Sequence, residues 1–172
     1  MNGKGVKTFS NGSLYDGNFL NDKFDGYGKF TNKTDNTFYN GYWKGGKKIG
    51  NGFFRYSDDS MYYGNWENDK KHGQGKHHLR NGDKYIGEFF NGSKHGNKGI
   101  YYFKDGRKYD GQWKFDKAHG YGEYFWPDGV CYKGQWDHGK KNGHGVFYDK
   151  DDKAVYDGQW LNDKRHGKGK QV

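Results

Sequence analysis

The sequence is short of most of what builds an ordinary globular core. Leu, Ile, Val and Phe together supply only 25 of its 172 residues, too few for one compact aliphatic core. There is one proline and one cysteine, Cys131. A lone cysteine forms no internal disulfide and provides no thiolate cluster for a metal, which fits a reducing compartment. No apolar run approaches the ~20 residues of a membrane span. The opening Met1-Asn2-Gly3-Lys4 has neither a signal peptide's apolar stretch nor a myristoylation glycine directly after the methionine. The expectation is an intracellular protein. In that setting Asn11-Gly12-Ser13, Asn32-Lys33-Thr34 and Asn91-Gly92-Ser93 read as turns and not as glycosylation acceptors.

What is present is aromatic, glycine-rich and basic. Phe, Trp and Tyr make up 20% of the chain, Gly numbers 31, and 30 Lys and Arg against 21 Asp and Glu leave a formal charge of +9. A charged chain so poor in aliphatics usually reads as disordered, but Trp and Tyr are what disordered chains lack most. An open, regularly built structure, each element burying a little aromatic surface, fits better.

The glycines and aromatics are periodic. Tyr-x-Gly-x-aromatic recurs at Tyr15-Gly17-Phe19, Tyr39-Gly41-Trp43, Tyr62-Gly64-Trp66, Tyr85-Gly87-Phe89, Tyr109-Gly111-Trp113, Tyr132-Gly134-Trp136 and Tyr156-Gly158-Trp160. Eleven residues after each tyrosine a Gly-x-Gly opens, except in the fourth unit, where Asn97-Lys98 separates Gly96 from Gly99. Residues 1–14 read as the second half of an earlier unit. Alternation puts both rings of each Tyr-x-Gly-x-Trp on one face of a strand. After Gly-x-Gly a second strand follows, as in Phe53-Phe54-Arg55-Tyr56 or Glu123-Tyr124-Phe125-Trp126. A turn such as Asn81-Gly82, Asp105-Gly106 or Pro127-Asp128-Gly129 closes the unit. Each unit is a β-hairpin, marginal alone but stable when docked on its neighbour.

Tyr109-Asp110-Gly111-Gln112-Trp113, followed by Lys117-Ala118-His119-Gly120-Tyr121-Gly122 and Pro127-Asp128-Gly129, resembles the MORN repeat, the membrane occupation and recognition nexus. Tyr62 to Gly82 and Tyr132 to Gly145 match nearly as well, and the resemblance spans essentially the whole chain. It implies an all-β fold: an elongated, twisted single antiparallel sheet of successive hairpins with a groove on one face. The expected organisation is one domain over 1–172, with units starting near 15, 39, 62, 85, 109, 132 and 156. Departures are Phe19 and Phe89 for Trp, Ile49 and Asn142 for the loop histidine, and the stretched fourth unit.

Motifs that resemble catalytic chemistry dissolve into the repeat. Gly41-x4-Gly46-Lys47 and Gly134-x4-Gly139-Lys140 lack the following Ser or Thr of a phosphate-binding loop and no long helix follows them. His72, His95, His119 and His166 hold the same place in four units. Units lie two strands apart, so these side chains repeat every ~10 Å and cannot share one metal ion. His77 and His78 are adjacent on a strand and face opposite ways. The carboxylates fall mostly in turns, and repetition itself opposes the single asymmetric constellation that catalysis requires. The chain is therefore expected to be no enzyme, with no cofactor, no metal and no specific nucleic-acid partner.

Two features carry functional content. Cations recur eight or nine places after the repeat tyrosine: Lys23, Lys47, Lys48, Lys70, Lys71, Lys94, Lys117, Lys140, Lys141, Lys164 and Arg165. Stacked in register they would form a ridge for anionic lipid or acidic protein, partly offset by Asp22, Asp69, Asp116 and Asp163. The aromatic layer is the second feature. Tyr15, Tyr39, Trp43, Tyr62, Trp66, Tyr85, Tyr109, Trp113, Tyr132, Trp136, Tyr156 and Trp160 read as structural. Phe54, Tyr56, Tyr101, Phe103, Tyr124, Trp126 and Phe147, on second strands, read as a groove for an extended or helical partner segment. The expected function is a non-catalytic scaffold for protein–protein interaction in a cytoskeletal, ciliary or membrane-associated assembly, as a homodimer or within a larger complex. The alternatives are a peripheral module binding acidic phospholipids through the lysines, and the regulatory repeat segment of a larger enzyme.

Overall fold

The computed structural model describes residues 1–171 and is all-β. By its internal contacts the chain divides into two compact units, Met1–Asn81 and Gly82–Val172. The first holds β1 (Gly3–Thr8), β2 (Leu14–Leu20), β3 (Lys23–Thr31), β4 (Phe38–Lys44), β5 (Lys47–Arg55), β6 (Met61–Glu67) and β7 (Lys70–His78). The second holds β8 (Lys84–Phe90), β9 (Ser93–Tyr102), β10 (Lys108–Lys114), β11 (Lys117–Phe125), β12 (Cys131–Asp137), β13 (Lys140–Tyr148), β14 (Ala154–Leu161) and β15 (Lys164–Gln171). Within each unit the strands pair in sequence order, every neighbour antiparallel. This is the open antiparallel sheet of successive hairpins that the repeat pattern predicts.

The second strand of each hairpin starts earlier than the sequence reading has it. It opens directly after the turn, at the predicted cations, and runs through the glycines, so the histidines His72, His95, His119 and His166 lie inside β7, β9, β11 and β15, and not in loops. The reason is a two-residue turn. Asn21-Asp22, Asn68-Asp69 and Asn162-Asp163 all have positive φ, between 47° and 69°, the geometry of a tight hairpin whose twist matches the strands. A register shift after the central glycine, as between Gly17 and Phe19, absorbs the extra length of the second strand.

The repeat glycines face one another across the sheet: Gly17 opposite Gly28, Gly28 opposite Gly41, Gly41 opposite Gly52 and Gly52 opposite Gly64. Over each such pair lies the unit's tyrosine ring. A Cβ on Gly52 would stand 2.6 Å from Cε2 and Cζ of Tyr39, so only glycine lets the ring lie flat on the sheet. The ring is fixed at its tip, where the Tyr39 hydroxyl donates to the Tyr42 carbonyl at 3.1 Å. The same i to i+3 bond recurs from Tyr15, Tyr62, Tyr85, Tyr109, Tyr132 and Tyr156.

Tryptophan joins one hairpin to the preceding one. Trp43 Nε1 donates to the Gly28 carbonyl at 3.1 Å, Trp136 to Gly122 at 3.0 Å and Trp160 to Gly145 at 3.0 Å. Each indole also stands edge-on to two tyrosines, as Trp43 does to Tyr39 and Tyr15. The twelve aromatics read as structural are all buried, joined by Phe19 and Phe89 in the tryptophan place. Burial raises the Tyr15 hydroxyl from 10.0 to about 12, with the nearby charge of Asp25 adding to it. The turns between hairpins are Asx turns: Asp58, Asp105 and Asp128 accept the backbone N–H two residues on. Turn chemistry thus explains these carboxylates.

Candidate functional site

The face carrying the Tyr and Trp rings also carries the predicted groove residues. Phe54 stands opposite Tyr39 and Tyr62, and Phe147 opposite Tyr132 and Tyr156. All seven are half-buried. In the first unit Phe54 meets Tyr56 at 4.5 Å between centroids, and burial with the charge of Asp58 pushes the Tyr56 hydroxyl up to about 12. In the second unit five of them form one run. Tyr101 meets Phe103 at 4.7 Å, Phe103 meets Tyr124 at 5.9 Å, Tyr124 meets Trp126 at 4.6 Å and Trp126 meets Phe147 at 5.7 Å. Polar groups hold the run in place: Tyr101 donates to Asp83 at 2.7 Å, and Arg107 lies over Phe103 while donating to the Tyr124 hydroxyl.

The structure sorts the predicted cations into two sets. Lys23, Lys47, Lys70, Lys117, Lys140 and Lys164 open their strands directly after the tight turns and are exposed. The residue after each turns onto the aromatic face, because strand neighbours alternate. Lys48 Nζ lies 5.4 to 5.8 Å from the ring centres of Tyr39, Trp43, Phe54 and Trp66. Lys141 is similarly enclosed by Trp126, Tyr132, Phe147 and Trp160, and Lys94 by Tyr85, Tyr101 and Trp113. Lys71 sits over Tyr56 and Tyr62, and Arg165 over Tyr156. Burial lowers Lys94 and Lys141 below the usual lysine value, against the opposing pull of Asp116 and Asp163 respectively. These cations serve the ring layer by cation–π contact.

The turn aspartates complete that layer. Asp69 Oδ1 accepts the Lys48 N–H at 2.9 Å while its own N–H donates to the Lys48 carbonyl. Asp116 clasps Lys94 and Asp163 clasps Lys141 in the same way. Their role is therefore to join hairpins as well as to offset charge. Where the enclosed lysine is absent, other residues take its place. Phe24 stacks on Tyr15 at 3.6 Å and 6°. In β11 the place is held by Ala118, opposite Trp113. A cavity of about 240 Å³ is lined by Lys114, Phe115, Lys117, His119 and His138. There His119 and His138 both approach Asp137, at 3.2 and 2.7 Å. His77 is opposite Tyr62 and His78 opposite Met61, on the two faces as expected. Among the described residues no group of three or more His, Cys, Asp or Glu is placed to hold a metal ion.

The opposite face was missed by the sequence reading. In the first unit it carries Tyr27, Phe38, Tyr42, Phe53 and Tyr63. Tyr27 and Tyr42 are cross-strand partners 5.3 Å apart, and Phe53 lies 5.8 Å from Phe38 and 4.5 Å from Tyr63. The available signal was adjacency: in Phe53-Phe54 and Tyr62-Tyr63 one ring of each pair must face away from the repeat tyrosines.

The MORN repeat model matches residues 1–14, 15–37, 39–61, 62–84, 85–106, 109–131, 132–153 and 156–172. No functionally curated protein matches the chain. Among solved structures it is similar in fold to the TCP domain of SAS-4 (dCPAP) of Drosophila melanogaster, solved in complex with a proline-rich motif of Ana2 (dSTIL). That match has a TM-score of 0.50 and 11% identity, and it covers 91% of this chain and 77% of that one. The G-box domain of the microcephaly protein CPAP aligns over 99% of both chains at 16% identity and a TM-score of 0.44. With its eight matched segments reaching from the first residue to the last, this chain belongs to the MORN-repeat family.

Proposed function

We propose that this protein is a non-catalytic scaffold that holds an extended or helical segment of a partner protein on its ring-bearing face, within a cytoskeletal, ciliary or centriolar assembly. The observation that carries this reading is the run Tyr101, Phe103, Tyr124, Trp126 and Phe147: five half-buried rings in sequence, anchored but not covered. Half-buried Tyr and Trp on a rigid support are the favoured anchors of interfaces. A domain of similar fold, that of SAS-4, is bound to a proline-rich motif, and proline-rich segments dock on aromatic-lined grooves because their extended helix is preformed. The test is a tagged purification from the native cell at about 50 and 300 mM salt, a range over which the Debye length falls about two-fold. Partners retained at high salt by the wild type and lost by Phe103→Ser with Trp126→Ser support the reading. A monomer that retains nothing, or partners indifferent to both changes, refutes it.

A second reading has its own observation. Lys23, Lys47 and Lys70 in one unit, and Lys117, Lys140 and Lys164 in the other, are exposed after successive turns, a spacing of ~10 Å that suits anionic head groups. Charge reversal of Lys70 and Lys140 would weaken retention by phosphoinositide vesicles at low salt. Lys71 and Lys141 are unsuitable for that test because they lie over rings.

A further inference from the structure

We infer that the opposite face of the first unit is a second docking surface, and that its occupant is an acidic, extended protein segment with apolar side chains. Cross-strand register sets out the surface. One row runs Lys29, Asn40, Phe53, Tyr63, Lys76 and the next Thr31, Phe38, Arg55, Met61, His78, from β3 to β7. Between β3 and β7 neither row holds a carboxylate, while Lys29, Arg55 and Lys76 supply three cations; the first row meets a carboxylate only beyond β3, at Asp16 on β2 opposite Lys29.

Three features mark this face as built for a partner. Tyr27, Tyr42 and Tyr63 are each 49% exposed, a cost in apolar exposure that the fold does not require, since the repeat tyrosines supply the core. Arg55 stands between Phe38 and Met61 across the strands, and its Nε is buried yet has no hydrogen-bond acceptor among the described residues, so one guanidinium donor there is left for an incoming acceptor. The cations flank the rings instead of being scattered: Lys29 Nζ lies 5.0 Å above Phe38, and Lys76 is the cross-strand partner of Tyr63.

Charge and ring geometry together select the occupant. The positive face asks for carboxylates, and its rings ask for apolar side chains. Nucleic acid would use the same charge but needs open ring faces on which bases stack. Here Tyr27 and Tyr42 meet at 75°, and Phe53 and Tyr63 pack on each other at 4.5 Å, so the surface offers edges and hydroxyls. From β3 to β7 is four strand spacings, about 19 Å, which an extended segment of about six residues crosses. The inference shares with the scaffold reading only that the partner is a protein, and it concerns the other face.

The test is selection of a random 12-residue phage-displayed library on the full chain, followed by titration of the selected peptides. Their binding is compared with that of oligothymidylate of 15 nucleotides and of phosphatidylcholine vesicles with and without phosphatidylinositol bisphosphate. The expected peptides are net negative with apolar or prolyl residues. They bind at least ten-fold more weakly to Lys29→Glu with Lys76→Glu, and to Tyr42→Ser with Tyr63→Ser, and equally to Phe103→Ser with Trp126→Ser. All four positions of the first two variants are substantially exposed, and an unchanged urea midpoint confirms that each is folded. Selected peptides without acidic enrichment, peptides indifferent to both first-unit variants, or tighter binding of oligothymidylate or charged vesicles at this face would overturn the inference. Peptides lost only with Phe103→Ser and Trp126→Ser would overturn it while leaving the scaffold reading standing.

Discussion

Replacing Gly52 by alanine tests the central steric claim. In a strand interior, glycine is normally about 0.5–1 kcal/mol less stable than alanine, so a harmless methyl here would raise stability. The added Cβ would instead lie 2.6 Å from two carbons of the Tyr39 ring and closer still to its hydroxyl oxygen, and the ring cannot move away cheaply because Trp43 and Trp66 stand edge-on to it at 4.9 and 5.6 Å. Carbon contacts settle near 3.5–4.0 Å, so the ring must withdraw by about 1 Å. Withdrawal strains the hydroxyl bond to Tyr42, worth about 1 kcal/mol. Overpacking adds about 1–3 kcal/mol. The expected loss is about 2–4 kcal/mol, read from urea unfolding followed by tryptophan fluorescence. Gly45, with φ at +56° and open space around its Cβ position, serves as control: its alanine costs about 1–2 kcal/mol through the backbone alone. In a Tyr39→Leu background the Gly52→Ala loss should shrink by at least about 1.5 kcal/mol, while that of Gly45→Ala should not change. The reasoning is refuted if Gly52→Ala costs under about 1 kcal/mol, or costs as much without the Tyr39 ring as with it.

Three further outcomes follow from the same geometry. Asp163→Ala removes the acceptor of the Lys141 N–H and should lower stability by about 1 kcal/mol, an unchanged urea midpoint counting against the clasp. Phe115 occupies a turn place at φ 46° where other units carry Asn, Gly or His, and it is exposed. Phe115→Asn should therefore raise stability by about 1 kcal/mol, and a lower melting temperature would show that the ring contributes more than the strain costs. Stability should also bend with pH. Lys94 and Lys141 have folded values below 10.5, so between those values and 10.5 the unfolded chain binds more protons and stability rises. Tyr15 and Tyr56 are raised from 10.0 to about 12, so from pH 10 to 12 the folded chain binds more and stability falls. The urea midpoint should climb towards pH 10 and drop beyond it, and the climb should vanish in Lys94→Met with Lys141→Met.

What was legible in the sequence is what repeats. Tyr, Gly and Trp recur at fixed phase because each hairpin solves the same packing problem, and their strands, their shared face and their burial all follow. The lysine pairs were less legible. Lys47 and Lys48 look equivalent as a charge run, yet a two-residue turn fixes their parity and puts one in solvent and the other among four rings. The histidines were read as loop residues because Gly-x-Gly suggests a break, whereas the bulge after the central glycine carries the strand straight through it. The opposite face was illegible to a search for periods. The place after the repeat tyrosine is held by Asp16, Asn40, Tyr63, Ile86, Asp110, Lys133 and Asp157, and no common residue is demanded there because the rings on that face do not recur from unit to unit.

That irregularity separates two kinds of information in the chain. Tyr62 and Tyr63 are adjacent, alike in chemistry and opposite in circumstance, one fully buried and the other half exposed. The first recurs in every unit because the fold fails without a ring there. The second occurs once, so the fold does not account for it. In a one-layer sheet the repeated residues are consumed by burial, and each change at them is felt first as stability. Under the two proposals, discrimination between partners is written at positions that differ from unit to unit: Phe53, Tyr63 and Arg55 on one face, Phe103 and Trp126 in the turns of the other. A repeat family of nearly constant architecture can in this way present different partners with different surfaces, because its core and its recognition residues lie at separate positions of the same strands.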